Sequence, residues 1–436
     1  MLAILKNRAY RHLFLAQVIA LVGTGLLTIA LGLLAFELAG EKAGAVLGTA
    51  LAIKMIAYVG IAPIASAFAE LVPRRVMLVG LDLMRAAVAL LLPFVTEVWH
   101  VYVLIFVLQS ASAGFTPTFQ ATIPDILPEE KDYTRALSLS RLAYDLESVV
   151  SPMLAAVLLV FMTFHNLFVG TVIGFLVSAA LVISVALPNP KPSQQRGIYD
   201  RTTRGIRVYL ATPRLRGLLA INLAVASAGA LVIVNTVVYV QAAFGLDSQA
   251  MALALAAFGS GSMIAALTLP KLLERVPDRT AMLSGAALLA AGTLLAMTLP
   301  SYGWLLPLWF VLGLGYSTAQ TPSGRLLRRS ANPEDRPALF AAQFAFSHAC
   351  WLFAYPFAGW AGATLGLPMT AALLAMVAGG AIGLGFYVWP AEDPQVLEHR
   401  HEELPADHPH LEGARRGRHA HHYVIDDLHP IWPRRG

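Results

Sequence analysis

Cysteine is nearly absent. Of 436 residues only Cys350 is a cysteine, so no internal disulfide can form and no thiolate cluster can hold a metal. Charge is scarce as well, at 13% against about 25% in ordinary soluble proteins. No Gly-x-x-x-x-Gly-Lys phosphate loop occurs, which removes ATP as the direct energy source, and no Ser-His-Asp spacing supports a membrane enzyme acting on lipid. The start, MLAILKNRAYRHLFLAQVIALVG, lacks a small-residue cleavage site and reads as a retained first span rather than a signal peptide. What fills the chain is apolar: 57% of residues, roughly 250, enough for about twelve helices at about 20 residues per crossing. That load excludes a soluble enzyme, a secreted disulfide scaffold and a nucleic-acid-binding domain, and makes the lipid bilayer the first partner.

Apolar runs broken by charge, Pro or Gly place spans near 12–38, 44–69, 76–96, 101–123, 136–162 and 166–187, then near 215–241, 248–270, 279–299, 302–322, 338–362 and 368–389. The pattern divides the chain into a six-helix bundle (1–188), a polar, basic linker (189–213) with an amphipathic piece suited to the membrane surface, a second bundle (214–390) and a solvated polar tail (391–436). Placing both termini in the cytoplasm puts 29 of the 31 Lys and Arg on that side, all but Lys42 and Lys54, as the positive-inside rule requires. The halves repeat: Thr116-Pro117 and Pro128-Glu129-Glu130 return as Thr321-Pro322 and Pro333-Glu334-Asp335 at an offset of 205. Pro73-x-Arg75 returns as Pro277-x-Arg279, and Arg8 matches Arg214. Two parallel six-span halves are the layout of a rocking transporter whose substrate site lies between them.

Over residues 1–390 the chain resembles the major facilitator superfamily. The loop after the second span carries part of that family's signature: Glu70, then Pro73-Arg74-Arg75, with Asp82 and Arg85 following in the third span. The resemblance implies an all-α membrane fold of twelve helices in two pseudo-symmetric bundles. It also implies that this charge cluster staples the inward-closed state.

Ionisable groups at bilayer depth are functional candidates by default. In the fourth span Gln109, Ser112, Thr116 and Gln120 share one helix face, which lines a cavity or serves as interhelical hydrogen-bond glue. In the fifth, Arg141 and Asp145 stand one turn apart and pair, whereas Glu147 has no opposite charge one turn away on its helix and is the first candidate for proton coupling or metal contact. His348, with Gln343, Ser347 and Cys350 on a neighbouring stripe, reads either as a buried core histidine or as a metal ligand. Asn222, Asn235, Tyr316 and Gln320 could complete a polar cavity.

Eight of the twelve histidines follow residue 398: His399, His401, His408, His410, His419, His421, His422 and His429. Neutral imidazoles suit Ni, Zn, Co and Cu(II), and one cysteine disfavours cytosolic Cu(I). With PDILPEEKDYTRALSLSRL after the fourth span, the chain looks like the branch holding siderophore and macrolide exporters. The His-rich tail makes it similar to the bacterial nickel-resistance exporters of the NreB/NrsD type. That resemblance implies export of Ni²⁺, in some cases Co²⁺, across the inner membrane; the expected protein is a monomeric proton antiporter for Ni²⁺, or Co²⁺ or Fe²⁺, with no resident cofactor. The alternative is an exporter of a siderophore or drug-like molecule whose tail is regulatory.

Overall fold

The computed structural model describes residues 2–39, 43–69, 71–189, 197–394, 396–401, 410 and 418–433. These residues form fourteen α-helices: α1 (Arg8–Ala39), α2 (Ala43–Ala69), α3 (Arg74–Leu91), α4 (Val98–Ile126), α5 (Glu130–Phe161), α6 (His165–Ile183), α7 (Ile198–Ala211), α8 (Pro213–Val237), α9 (Ser248–Leu272), α10 (Asp278–Leu295), α11 (Tyr302–Gln320), α12 (Ser323–Arg328), α13 (Arg336–Thr364) and α14 (Leu367–Val388). Ten of them are long and apolar enough to cross a membrane. In lipid the backbone must satisfy its own polar groups, and helices this long do so. The remaining long helices, α5 and α11, complete the twelve; α5 carries Arg141, Asp145 and Glu147 in an otherwise apolar stretch.

Packing reveals the internal repeat. In the first half α1 lies against α5 and α6, α4 against α2 and α3, and α3 against α6. In the second, α8 lies against α13 and α14, α11 against α9 and α10, and α10 against α14. The halves meet through α2–α13 and α5–α9, a pair of contacts that the same exchange of elements interconverts. Small residues set the closest approaches, as is usual in lipid. A β-carbon on Gly261 would run into the Phe310 carbonyl and one on Gly313 into that of Phe258, so these two glycines bring α9 and α11 together.

The amphipathic piece is α7, whose buried residues Arg204, Gly205, Val208 and Tyr209 turn to α13, with Gly205 against the Ala338 carbonyl. The tail, expected to be solvated, is folded in its described parts, where Tyr423, Val424 and Ile425 are buried. Strand β1 (Val396–Arg400) pairs antiparallel with β2 (Arg418–His422), placing His399 opposite His419 and Leu397 opposite His421.

Candidate functional site

Halfway along α2, α5 and α13, three ionisable side chains converge. Lys54 is half-buried, and its ammonium is within electrostatic reach of Glu147 and of His348. It also lies 5.5 Å from the Tyr58 ring centre, and Tyr58 meets the His348 ring edge-on at 4.7 Å. His348 Nδ1 bonds the Phe344 carbonyl at 2.7 Å; a carbonyl only accepts, so Nδ1 carries the proton and Nε2 keeps its lone pair. Glu147 and Ser151 pack on Gly25 of α1, where any β-carbon would overlap Glu147 Oε1 and Ser151 Oγ. Glu147 therefore does have a cationic neighbour, supplied by another helix. Lys54 is the residue that spacing along one helix overlooks, although a lysine inside an apolar run is a signal in itself.

The Arg141–Asp145 pair forms, with Nη2 2.5 Å from Oδ1. It also reaches across the halves: Ser262 Oγ on α9 donates to Asp145 Oδ2 at 2.7 Å, and the Arg141 guanidinium stacks 4.5 Å from the Tyr316 ring centre on α11. On α4, Gln109 and Ser112 are buried and Thr116 and Gln120 half-buried; Ser112 Oγ bonds back to the Leu108 carbonyl. Gln343 and Asn222 meet each other. Gln343 Oε1 accepts from Tyr209 Oη at 2.6 Å and Asn222 Nδ2 at 3.3 Å, which ties the linker helix α7 to α8 and α13 of the second half. Asn235 likewise donates to the Ala358 carbonyl, Ser347 to its own helix, and Cys350 is buried; Gln320 is half-buried at the end of α11.

The end of the bundle that bears both termini is closed by ion pairs between the halves. Asp125 on α4 holds Arg74 at 2.6 Å and also Arg336 at the start of α13. Arg325 on α12 bridges Glu130 on α5 and Asp278 on α10, and Arg328 donates to the Pro128 carbonyl. Asp82 and Arg85, expected to staple the halves, instead pair with each other inside the first half. There Ser178 donates to Asp82 at 2.8 Å and the Arg85 guanidinium lies between Phe115 and Phe175. Arg75 is exposed, and Glu70 lies outside the described residues.

In the tail, six imidazoles form one knot. On strands, side chains two apart share a face, so His419 and His421 point the same way as their cross-strand neighbour His399, while His422 is turned out. His429 Nε2 lies 3.0 Å from His399 Nε2, 3.2 Å from His401 Nε2 and 3.2 Å from His410 Nε2. Its Nδ1 is held by Asp426 at 2.7 Å, and His399 Nδ1 bonds the Leu397 carbonyl at 3.1 Å. Burial among the other rings lowers the His399 and His410 pKa to about 4, leaving both neutral. His408 lies outside the described residues.

Residues 13–239 and 217–418 match the family model described as Major Facilitator Superfamily. A relative, macrolide efflux protein A of Streptococcus pyogenes, is 25% identical over 177 residues, 39% of this chain and 43% of that protein, so the chain spans less than half of it. Among solved structures, the human organic anion transporter MFSD10 (TETRAN) aligns with a TM-score of 0.74 at 12% identity, over 87% of this chain and 99% of that one. A bacterial homologue of the iron transporter ferroportin, in its outward-facing state, aligns with a TM-score of 0.70 at 15% identity, over 87% and 98%.

Proposed function

The chain belongs to the major facilitator superfamily and is a secondary transporter of that type; on that premise we propose that it exports a divalent transition-metal cation in exchange for protons. Nickel is the first candidate, with cobalt and iron(II) next, moving from the cytoplasm across a bacterial inner membrane with both termini inside. The observation that carries this reading is the convergence of imidazoles beside the termini-bearing end, because neutral imidazole is the ligand these borderline ions prefer. In the proposed cycle the tail concentrates metal, the ion enters a cavity open to the cytoplasm, and Glu147 and His348 contact it at mid-depth. Lys54 is then a tethered cation competing for the same carboxylate. The ion displaces it, and protonation of Glu147 from the far side favours release.

The second reading, export of a drug-like organic molecule with a regulatory tail, is supported by the macrolide efflux relative and by aromatic rings, Tyr58, Phe344, Tyr316 and Trp351, around the middle of the bundle. The relatives matched in sequence lend no support to the nickel-exporter branch, so that assignment rests on the tail. The deciding experiment is uptake into proteoliposomes or everted vesicles under a pH gradient, comparing Ni²⁺, Co²⁺, Zn²⁺ and Fe²⁺ with a macrolide and a dye. Efflux of the organic probes with no movement of any metal would replace the first reading by the second.

A further inference from the structure

In the tail the Nε2 atoms of His399, His401 and His410 converge on that of His429. The Leu397 carbonyl can only accept, so His399 Nδ1 carries its proton, and the Asp426 carboxylate fixes the proton of His429 on Nδ1 in the same way. In the neutral rings both Nε2 atoms are acceptors, and they stand 3.0 Å apart, while His401 and His410 bring two further Nε2 atoms to within 3.2 Å of His429. Acceptors at that spacing need a shared proton or a metal cation among them, and four nitrogens converging on one point suit the metal. Metal-bound histidines show the same outer pattern, with the far ring nitrogen held by a carboxylate or a backbone carbonyl.

We propose that the tail is a metal-folded module: one divalent cation held by Nε2 of His399, His401, His410 and His429, with the filled hairpin docking on the second half through Arg204 and Arg214. This inference deepens the metal reading and rests on it for the class of ion. One ion follows because, among the described residues, the other quartet, His399, His410, His419 and His421, shares two of its rings with the first. Docking is partly polar. Arg204 on α7 holds Asp427 at 2.9 Å, two residues before His429, and holds Asp335 at the start of α13 at 3.0 Å. Arg214 on α8 reaches the Tyr423 carbonyl and lies 4.9 Å from the Trp432 ring centre. A cavity of 530 Å³, lined among others by Leu210, Pro213, Val388, Leu397 and Trp432, remains along the seam. Beside it Tyr423 and Ile425 are buried in the hydrophobic cluster of the second half, so apolar packing and the ionic anchors hold the module together. Because Asp335 is followed by Arg336, which pairs with Asp125 across the halves, filling the tail stabilises the closed end of the bundle.

The test uses the full chain, purified on a tag without histidine and reconstituted in nanodiscs. With Ni²⁺ and with Zn²⁺ the wild type should retain one ion, and hydrogen exchange should slow over 396–401, 418–425 and α7. His429→Ala should abolish retention, Asp426→Asn should weaken it by about 10–100-fold, and the outward-facing His422→Ala should leave it unchanged. Asp427→Asn should keep the ion and the hairpin protection but lose the protection of α7. No bound ion in the wild type, equal loss in His422→Ala, or an ion bound with no change in exchange would overturn the proposal. Retention without metal flux into proteoliposomes leaves this inference standing and removes the export reading; flux without retention does the reverse.

Discussion

Substituting Lys54 separates the two transport readings. If a metal ion competes with its ammonium for Glu147, Lys54→Met should lower the half-saturating metal concentration and slow release, since the competitor is gone and nothing replaces the ion. An unchanged or raised value in proteoliposome uptake would remove Lys54 from that role. Glu147→Gln keeps the shape and deletes the titrating group, so proton-coupled flux should fall to that of empty liposomes while the protein still inserts. Gly25→Val tests the same carboxylate from behind. Its side chain must displace Glu147 and Ser151, at a cost of about 1–3 kcal/mol for overpacking, and flux should drop with little loss of insertion. Part of this cluster is legible in the sequence. Glu147 and His348 stand out as ionisable residues in apolar runs, and so does Lys54 in LAIKMIAYVG. That they meet is not legible, because spacing rules pair side chains one turn apart on one helix, whereas these three come from α2, α5 and α13.

At the scale of elements, the closed end depends on few pairs, and two of them share Asp125. Asp125→Asn combined with Arg336→Ala should free α4 from α13 and shift the protein toward opening at that end. A thiol reagent should then label a cysteine placed by Gln320→Cys, in a Cys350→Ser background, faster than it does with the pairs intact; equal labelling would mean that other contacts hold the closure. Asp82 and Arg85 behave differently because their pair is buried within one half. Arg85→Ala leaves Asp82 with Ser178 alone and should cost about 3–5 kcal/mol, read as a lower unfolding temperature in detergent without change in which face is open. Spacing along the chain reveals the repeat that relates these elements, since an offset of 205 is visible in Thr-Pro and Pro-Glu motifs. It does not reveal which charges cross between halves, as Asp125, Glu130 and Arg336 sit at helix ends whose partners are set by the tilt of whole bundles. Likewise the His-x-His units announce metal chemistry, while the pairing of His399 with His419 depends on a hairpin closed over the intervening residues.

For the whole molecule, the central relation is between a rocking bundle and a module attached to one of its halves. Every tail anchor described above lies on α7, α8 or the loop before α13, so the module travels with the second half and, among the described residues, touches none of the groups at mid-depth. Removing residues 391–436 should therefore leave Lys54, Glu147 and His348 in place. Export should continue at saturating metal but fall at low metal, where capture by the tail supplies the local concentration. Arg204 and Arg214 would lose Asp427, Asp393, Trp432 and the Tyr423 carbonyl, so the truncated chain should also open more readily at its termini-bearing end and rest there for a larger fraction of time. Uptake measured across a range of metal concentrations, alongside thiol labelling at Gln320→Cys in the truncated chain, reads both effects in one preparation. Loss of flux at all concentrations would make the tail part of the transport path, and unchanged flux at low metal would make it dispensable for capture.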